Sequence, residues 1–279
     1  METKQTTQAP PAYQNNPFMI AVDGLNLLFK LAQSVAIFGI ILCVLSLGGS
    51  YGGPSGDSAS SDADSVADTL GAIPAEVWII IGVIILIVVI GMFVIGVIIS
   101  GIMDYTAAKL AQNKTVTLGE AFSGTMKNFG GYLWVRVIVA VKTFLWSLLL
   151  IIPGIVMAYR YSLAGVAFFA DEKKGDAAVA HSLSLTRGAW LTTYASQTLF
   201  NLVTFGLVSS LLMPGTNGLL YRQYTALGDT PKPAAHGLSW LALFIPIVLL
   251  ILAGLLLALL IYVLSSGGTA PTGSGAKLT

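Results

Sequence analysis

Long apolar runs separated by short polar segments divide the chain between residues 27 and 264 into blocks of helix length. A helix needs about 20 residues to cross a hydrocarbon core about 30 Å thick, and the blocks at about 27–48, 77–103, 132–152, 155–170 and 240–264 reach or approach that length. The stretch from Ala189 to Leu227 has two readings. Either one span ends near Met213 and an irregular segment follows, or a tight hairpin turns near Gly206, with spans at 189–205 and 207–226. The pattern predicts an all-α integral membrane protein, a bundle of six or seven transmembrane helices in a multi-pass domain at 27–264.

The polar interruptions carry their own signals. Residues 1–16 are rich in Gln, Pro and Thr and cannot bury enough apolar surface to fold alone. With a short amphipathic lead from Pro17 lying along the interface, they make 1–26 a polar tail. The loop at 49–75 holds Asp57, Asp62, Asp64 and Asp68 among Gly and Ser, without a Lys or Arg, and reads as acidic and disordered. "TLGEAFSGTMKNF" from Thr117 reads as a surface helix over 117–128 with Thr117 and Glu120 as a capping box. A second surface helix is expected at 176–187. Only Pro153-Gly154 separates the third and fourth spans, which forces them to be antiparallel neighbours, since Pro stops a helix and Gly accepts a sharp reversal. Gly96 and Ser100 form a small-xxx-small pair that suits close approach of a neighbouring helix. The Gly/Ser/Thr/Pro tail at 265–279 reads as flexible.

Composition agrees with the pattern: 55% of residues are hydrophobic and 10% charged, against about 25% charged in an ordinary soluble domain. The net charge of +1 gives no basic excess for nucleic acid, so the expected partners are the lipid bilayer and a membrane or cytoplasmic protein. Cys43 is the single cysteine, in an apolar run, and is read as a packing residue. Residues 1–26 are too long and too weakly basic for a leader, so the first span is expected to stay uncleaved. Cytoplasmic loops carry an excess of Lys and Arg. The acidic loop has none, while 104–131 and 171–188 have three each. Those two segments are therefore expected inside, with the N-terminus cytoplasmic. The second-hairpin reading also puts Arg222 and Lys232 inside, so seven spans are preferred.

Segments 104–133 and 161–191 run in the same order. A span end with Tyr leads to a Lys-bearing linker, an Ala-containing surface helix, then a Gly and an aromatic that open the next span. The pattern suggests a two-helix hairpin module used twice, with a period of about 57 residues.

Candidate chemistry is sparse. His181 and His236 lack Cys, His or carboxylate partners at ligand spacing, and no nucleophile elbow or phosphate-binding Gly loop is present, so no metal, cofactor or catalytic residue is expected. Charges inside spans are costly and by default mark a cavity, a relay or an ion pair. Arg160 lies seven residues past Pro153, about 10 Å in from the outer turn, within snorkelling reach, with Glu76 as a plausible counter-charge. Lys142 lies about 15 Å deep and needs a polar partner or a tilted helix. Arg136 falls on a different face of that helix. Tyr194, Gln197, Asn201 and Thr204 recur at helical spacing as one polar face, suited to interhelical hydrogen bonds or to a path.

The stretch "LLLIIPGIVMAYRYSLAGVAFFADEKKGDAAVAHSLSLTRGAW" resembles the signature of a broad group of bacterial multi-pass proteins. That group includes the DUF975 type and the membrane region attached to some glycerophosphodiester phosphodiesterases. The matching positions are Ile151 to Gly154, Arg160 to Ser162, Ala177, Ser182, Gly188 and Trp190, with Tyr221, Arg222 and Leu227 downstream. The resemblance covers about 104–228 and omits the first span, the acidic loop and the last span. It implies a helical membrane fold of unknown molecular function with the "YR" end at the cytoplasmic face. The phosphodiesterase activity belongs to a separate catalytic domain that these residues do not match. The expectation is a non-enzymatic membrane-embedded interaction or envelope-associated factor. The rival is a small-solute transporter or channel-like protein with a cavity lined by Lys142, Arg160, Gln197 and Asn201.

Overall fold

The computed structural model describes residues 13–50, 74–203 and 208–266, and every regular element among them is helical. The tails, most of the acidic loop and the turn near Gly206 lie outside the described residues. In chain order the helices are α1 (Pro17–Leu31), α2 (Gln33–Ser50), α3 (Ala75–Ala111), α4 (Leu118–Lys127), α5 (Phe129–Leu149), α6 (Ile151–Tyr161), α7 (Ala164–Ala170), α8 (Asp176–Leu185), α9 (Trp190–Val203), α10 (Ser209–Leu227) and α11 (Gly237–Ser266).

Several boundaries differ from the pattern, each for a local reason. Helix α1 starts where the interfacial lead was expected, because the Asn16 side chain accepts from the Phe18 and Met19 N–H groups and Pro17 occupies the first turn. It then runs past residue 26 to Leu31, breaks at Ala32 and turns by 119° into α2. The expected first span at 27–48 is therefore broken at Ala32, and α1 packs against α10. Helix α3 continues past residue 103 to Ala111, because Asp104 has partners inside the fold. The reversal between α5 and α6 is at Leu150, whose backbone is extended (φ −162°, ψ 141°). Pro153 sits in the first turn of α6, where a missing N–H leaves no intrahelical bond unmade. Gly154 permits contact with Ser147 across the hairpin: a Cβ there would be 2.7 Å from Ser147 Cα. Helices α9 and α10 are an antiparallel pair, joined by Thr193 to Tyr224 (3.0 Å) and Gln197 to Asn217 (2.7 Å).

The packed core gathers at one end of the long helices. Ile20, Ala107, Leu163, Val166 and Leu220 form one cluster, Leu28, Val35, Ile102 and Leu110 a second, and Tyr132, Val135, Ala164 and Val179 a third. Beyond it, α3 presents apolar side chains to its surroundings from Val77 to Ile95, and α11 does so from Phe244 to Val263. Ile87 is 63% exposed and Met92 69%. A water-soluble fold rarely leaves so large a contiguous apolar surface uncovered, and such a surface is compatible with a bilayer. Among the described residues four helical stretches are long and apolar enough to cross a membrane: Glu76–Ala111, Phe129–Leu149, Ile152–Ala170 and Gly237–Val263. The bent pair α1–α2 makes a fifth if counted as one span.

The tightest crossing in the core is α1 over α10. A Cβ on Gly24 would be 2.7 Å from the Thr216 nitrogen, and one on Gly215 would overlap the Gly24 carbonyl. Gly24→Ala and Gly215→Ala are each expected to lower stability by about 1–3 kcal/mol, as overpacked cores do. Gly82→Ala and Gly91→Ala, whose Cβ atoms would meet nothing within 4 Å, should be neutral or slightly stabilising. Unfolding midpoints in a fixed mixed micelle compare the four variants.

Candidate functional site

The most connected polar node in the membrane domain joins α3, α5 and α7. Asp104, four residues past Ser100, faces the bundle; Tyr132 and Arg136, one turn apart on α5, face it in return. Asp104 Oδ2 accepts from Tyr132 OH (2.8 Å) and from Arg136 NH2 (2.7 Å), and Arg136 Nε donates to the Tyr132 hydroxyl (2.6 Å). The carboxylate is 5% exposed, so without Arg136 it would be an uncompensated buried charge. Tyr132 is fully buried and stacks on Phe169 at 5.2 Å. Gly165 on α7 makes room, since a Cβ there would overlap Asp104 Oδ2. The node is neutral overall and closed by its own hydrogen bonds, an arrangement that locks three helices in register.

A groove of about 520 Å³ opens beside it between α3 and α5, walled by Phe93, Gly96, Val97, Ala140 and Val141, with Ser100 and Arg136 at its polar end. Gly96 and Ser100, read as a helix-packing pair, line this groove, and a Cβ on Gly96 would meet nothing within 4 Å. No described helix packs on that pair.

The four predicted intramembrane polar residues occupy separate contacts. Lys142 Nζ lies 2.5 Å from Asp176 Oδ1 in the first turn of α8. Arg160 donates to the Leu183 carbonyl (3.2 Å), while its own carbonyl accepts from Ser182 (2.7 Å) and Thr186 (3.2 Å). Arg160 is therefore held by α8, not by Glu76, because the surface helix packs against the flank of the first hairpin. Gln197 Nε2 donates to Asn217 Oδ1 (2.7 Å) and Ser162 Oγ (3.1 Å), and Tyr194 donates to the Ala242 carbonyl (3.3 Å). Asn201 bonds back to the Gln197 carbonyl within its own helix (2.7 Å). Thr204 lies outside the described residues. The polar face on α9 thus ties α9 to α6, α10 and α11.

Two further groups close the packed end. Tyr221 on α10 donates to Asp171 Oδ2 (2.7 Å), and His181 Nε2 lies 3.1 Å from the same oxygen. Burial holds the His181 imidazole below its ordinary range; Asp171 opposes that shift and Lys173 adds to it. Among the described residues no group of three or more His, Cys, Asp or Glu is placed to hold a metal ion.

Sequence reasoning placed Asp104 at the start of a polar stretch and missed its role. The signal was available: Asp104 follows Ser100 at helical spacing, and Tyr132 precedes Arg136 by one turn. What the sequence lacked was the separation of 32 residues between the two charges. No family model matches the chain, and no curated protein or solved structure matches it.

Removing one side of a buried pair strands the other charge. Asp104→Ala and Arg136→Ala are each expected to destabilise by about 3–5 kcal/mol. Asp104→Leu with Arg136→Met, which removes both charges, should recover most of that loss. A double-mutant cycle of unfolding free energies measures the coupling, and two independent single effects that simply add would show that the node does not behave as a unit.

Proposed function

We propose that the chain is a non-enzymatic multi-pass protein of a bacterial cytoplasmic membrane, an interaction or envelope-associated factor whose packed, cation-bearing base meets lipid headgroups or a protein partner. The carrying observation is that the three cations of the first hairpin each have a partner in the fold, Lys142 at its exposed flank. Arg136 is held by Asp104 and Tyr132, Lys142 by Asp176 and Arg160 by Leu183. A transporter needs polar groups free to meet a solute in a solvated cavity. The four residues on which that rival rests are spread over contacts with α8, α6, α10 and their own helix. The resemblance of 104–228 to bacterial multi-pass proteins bears on the membrane fold and not on the choice between the two functions.

In this reading seven helical segments enter the bilayer: α2, α3, α5, α6–α7, α9, α10 and α11. Support for the seventh comes from the antiparallel pairing of α9 with α10, which returns the chain to the side it left. The N-terminus and the Lys- and Arg-bearing base are cytoplasmic by the excess of positive charge there.

Single cysteines introduced in a Cys43→Ser background test the topology. At Glu76→Cys a membrane-impermeant thiol reagent should label intact cells. At Thr230→Cys it should label only after permeabilisation. Labelling of Thr230→Cys from outside would remove the second hairpin and, with it, the seven-segment reading.

A further inference from the structure

The order of surface helix and hairpin recurs along the chain. Helix α4 precedes the hairpin α5/α6–α7, and α8 precedes the hairpin α9/α10. The starts of α4 and α8 are 58 residues apart, and the ends of α7 and α10 are 57 apart. Thr125 bonds back to the Ala121 carbonyl (2.8 Å) and Thr186 to the Ser182 carbonyl (2.8 Å), both 61 residues on. The glycines that leave the hairpins share an unusual backbone: Gly175 has φ 52° and ψ −126°, and Gly228 has φ 54° and ψ −131°. An L side chain rarely adopts that region, so the two exits are built alike.

Each repeat has a cleft at the same place, between the end of its surface helix and the exit of its hairpin. The first, about 400 Å³, is lined by Lys127 and Asn128 from the end of α4, by Trp134, and by Lys174 and Gly175 after α7. The second, about 430 Å³, is lined by Arg187 and Gly188 after α8 and by Gly228, Asp229 and Lys232 after α10. Each cleft therefore brings together two cations from two chain segments. None of the four cations has a carboxylate within 4.0 Å among the described residues, where the ion pairs involve Lys109, Arg136, Lys142 and His181. An anion entering the first cleft meets two exposed cations, and one entering the second meets two cations and the single carboxylate of Asp229, so each cleft keeps a net positive charge. Lys232 is also held below the ordinary lysine range by burial, with Asp229 opposing, so it gains from a second anion.

The position of the clefts selects the anion. Both open where the apolar helices begin, beside aromatic side chains of the kind that mark membrane interfaces: Trp134 lines the first and is 60% exposed, and Trp240, 50% exposed, opens α11 just after the second. That is the level of lipid phosphates. We propose that the two clefts are duplicate binding sites for the phosphate of an anionic phospholipid headgroup, one per repeat, with Lys127 and Lys174 holding the first and Arg187 and Lys232 the second. The proposal rests on the membrane reading above and names its ligand.

The test uses the full chain purified in a mild detergent, with phosphatidylglycerol, phosphatidylcholine or inorganic phosphate added. Bound lipid is counted by native mass spectrometry and the unfolding midpoint is followed in parallel. Phosphatidylglycerol should be retained by the wild type at two sites per chain and raise its midpoint. Lys127→Gln/Lys174→Gln and Arg187→Gln/Lys232→Gln should each lose one site, with affinity falling on the order of tenfold at the altered cleft. Lys114→Gln/Arg222→Gln removes the same charge outside both clefts and should bind as the wild type does. Equal binding by all the variants, or equal loss in the control pair, overturns the proposal. So does stabilisation by inorganic phosphate without any by the lipid, which would make the ligand a free phosphate. Recovery of the chain from cells without detergent would sink the membrane reading together with the proposal, whereas a detergent-requiring chain that ignores phosphatidylglycerol sinks the proposal alone.

Discussion

A carboxylate and a guanidinium buried between membrane helices each cost several kcal/mol to desolvate, and only their meeting offsets it. Asp104 and Arg136 meet at 2.7 Å, with the Tyr132 hydroxyl bonded to both. That geometry permits one register of α3 against α5, and the space it needs requires glycine at position 165 of α7. Once those three elements are set, α10 can pack on α3 through Gly218, where a Cβ would lie 2.8 Å from the Ala107 carbonyl. Helix α1 then crosses α10 through Gly24 and Gly215. The core is thus a set of backbone approaches arranged around one fixed polar contact.

The other cations of the first hairpin find partners on α8 in more exposed settings. Asp176 answers Lys142, and the Leu183 carbonyl answers Arg160. A helix read from sequence as a surface element is in fact a brace, joined to both arms of the first hairpin. Helix α4 has no such task. It lies on α3 with the Thr117 side chain accepting from the Glu120 N–H (3.2 Å), and Glu120 reaches back toward Lys109 at 3.9 Å. The two surface helices thus differ in what they hold.

This difference also explains which features could be read in advance. Apolar run length is a local property, and so the long helices were legible. Pro153-Gly154 was read as the turn because Pro commonly stops a helix, but Pro in a first turn obeys the same chemistry, and the chain reverses three residues earlier at Leu150. The break at Ala32 falls beside Lys30, Gln33 and Ser34, a polar interruption too short to be told from the flank of a continuous span. The partners of Lys142, Arg136 and Arg160 lie 34, 32 and 23 residues away. Nothing in local spacing specifies such pairs, and the candidate site was correspondingly the least legible part.

The brace also limits how far the first hairpin extends beyond the packed end. From Lys142 to Leu150 is eight residues, at most about 12 Å of helix, and from Leu150 to Arg160 is ten, at most about 15 Å. Helix α8 contacts both Lys142 and Arg160, so the part of the hairpin outside it is about as long as one leaflet of a core about 30 Å thick. Helix α3, by contrast, has 28 residues from Glu76 to Asp104, about 42 Å. A hairpin returns its chain to the side it left, whatever depth its apex reaches. The sidedness of α8, of both cation-lined clefts and of α11 is therefore independent of how deeply either hairpin inserts. Depth would instead be set from the base, where Lys127, Lys174, Arg187 and Lys232 lie, if those cations hold lipid phosphates as proposed.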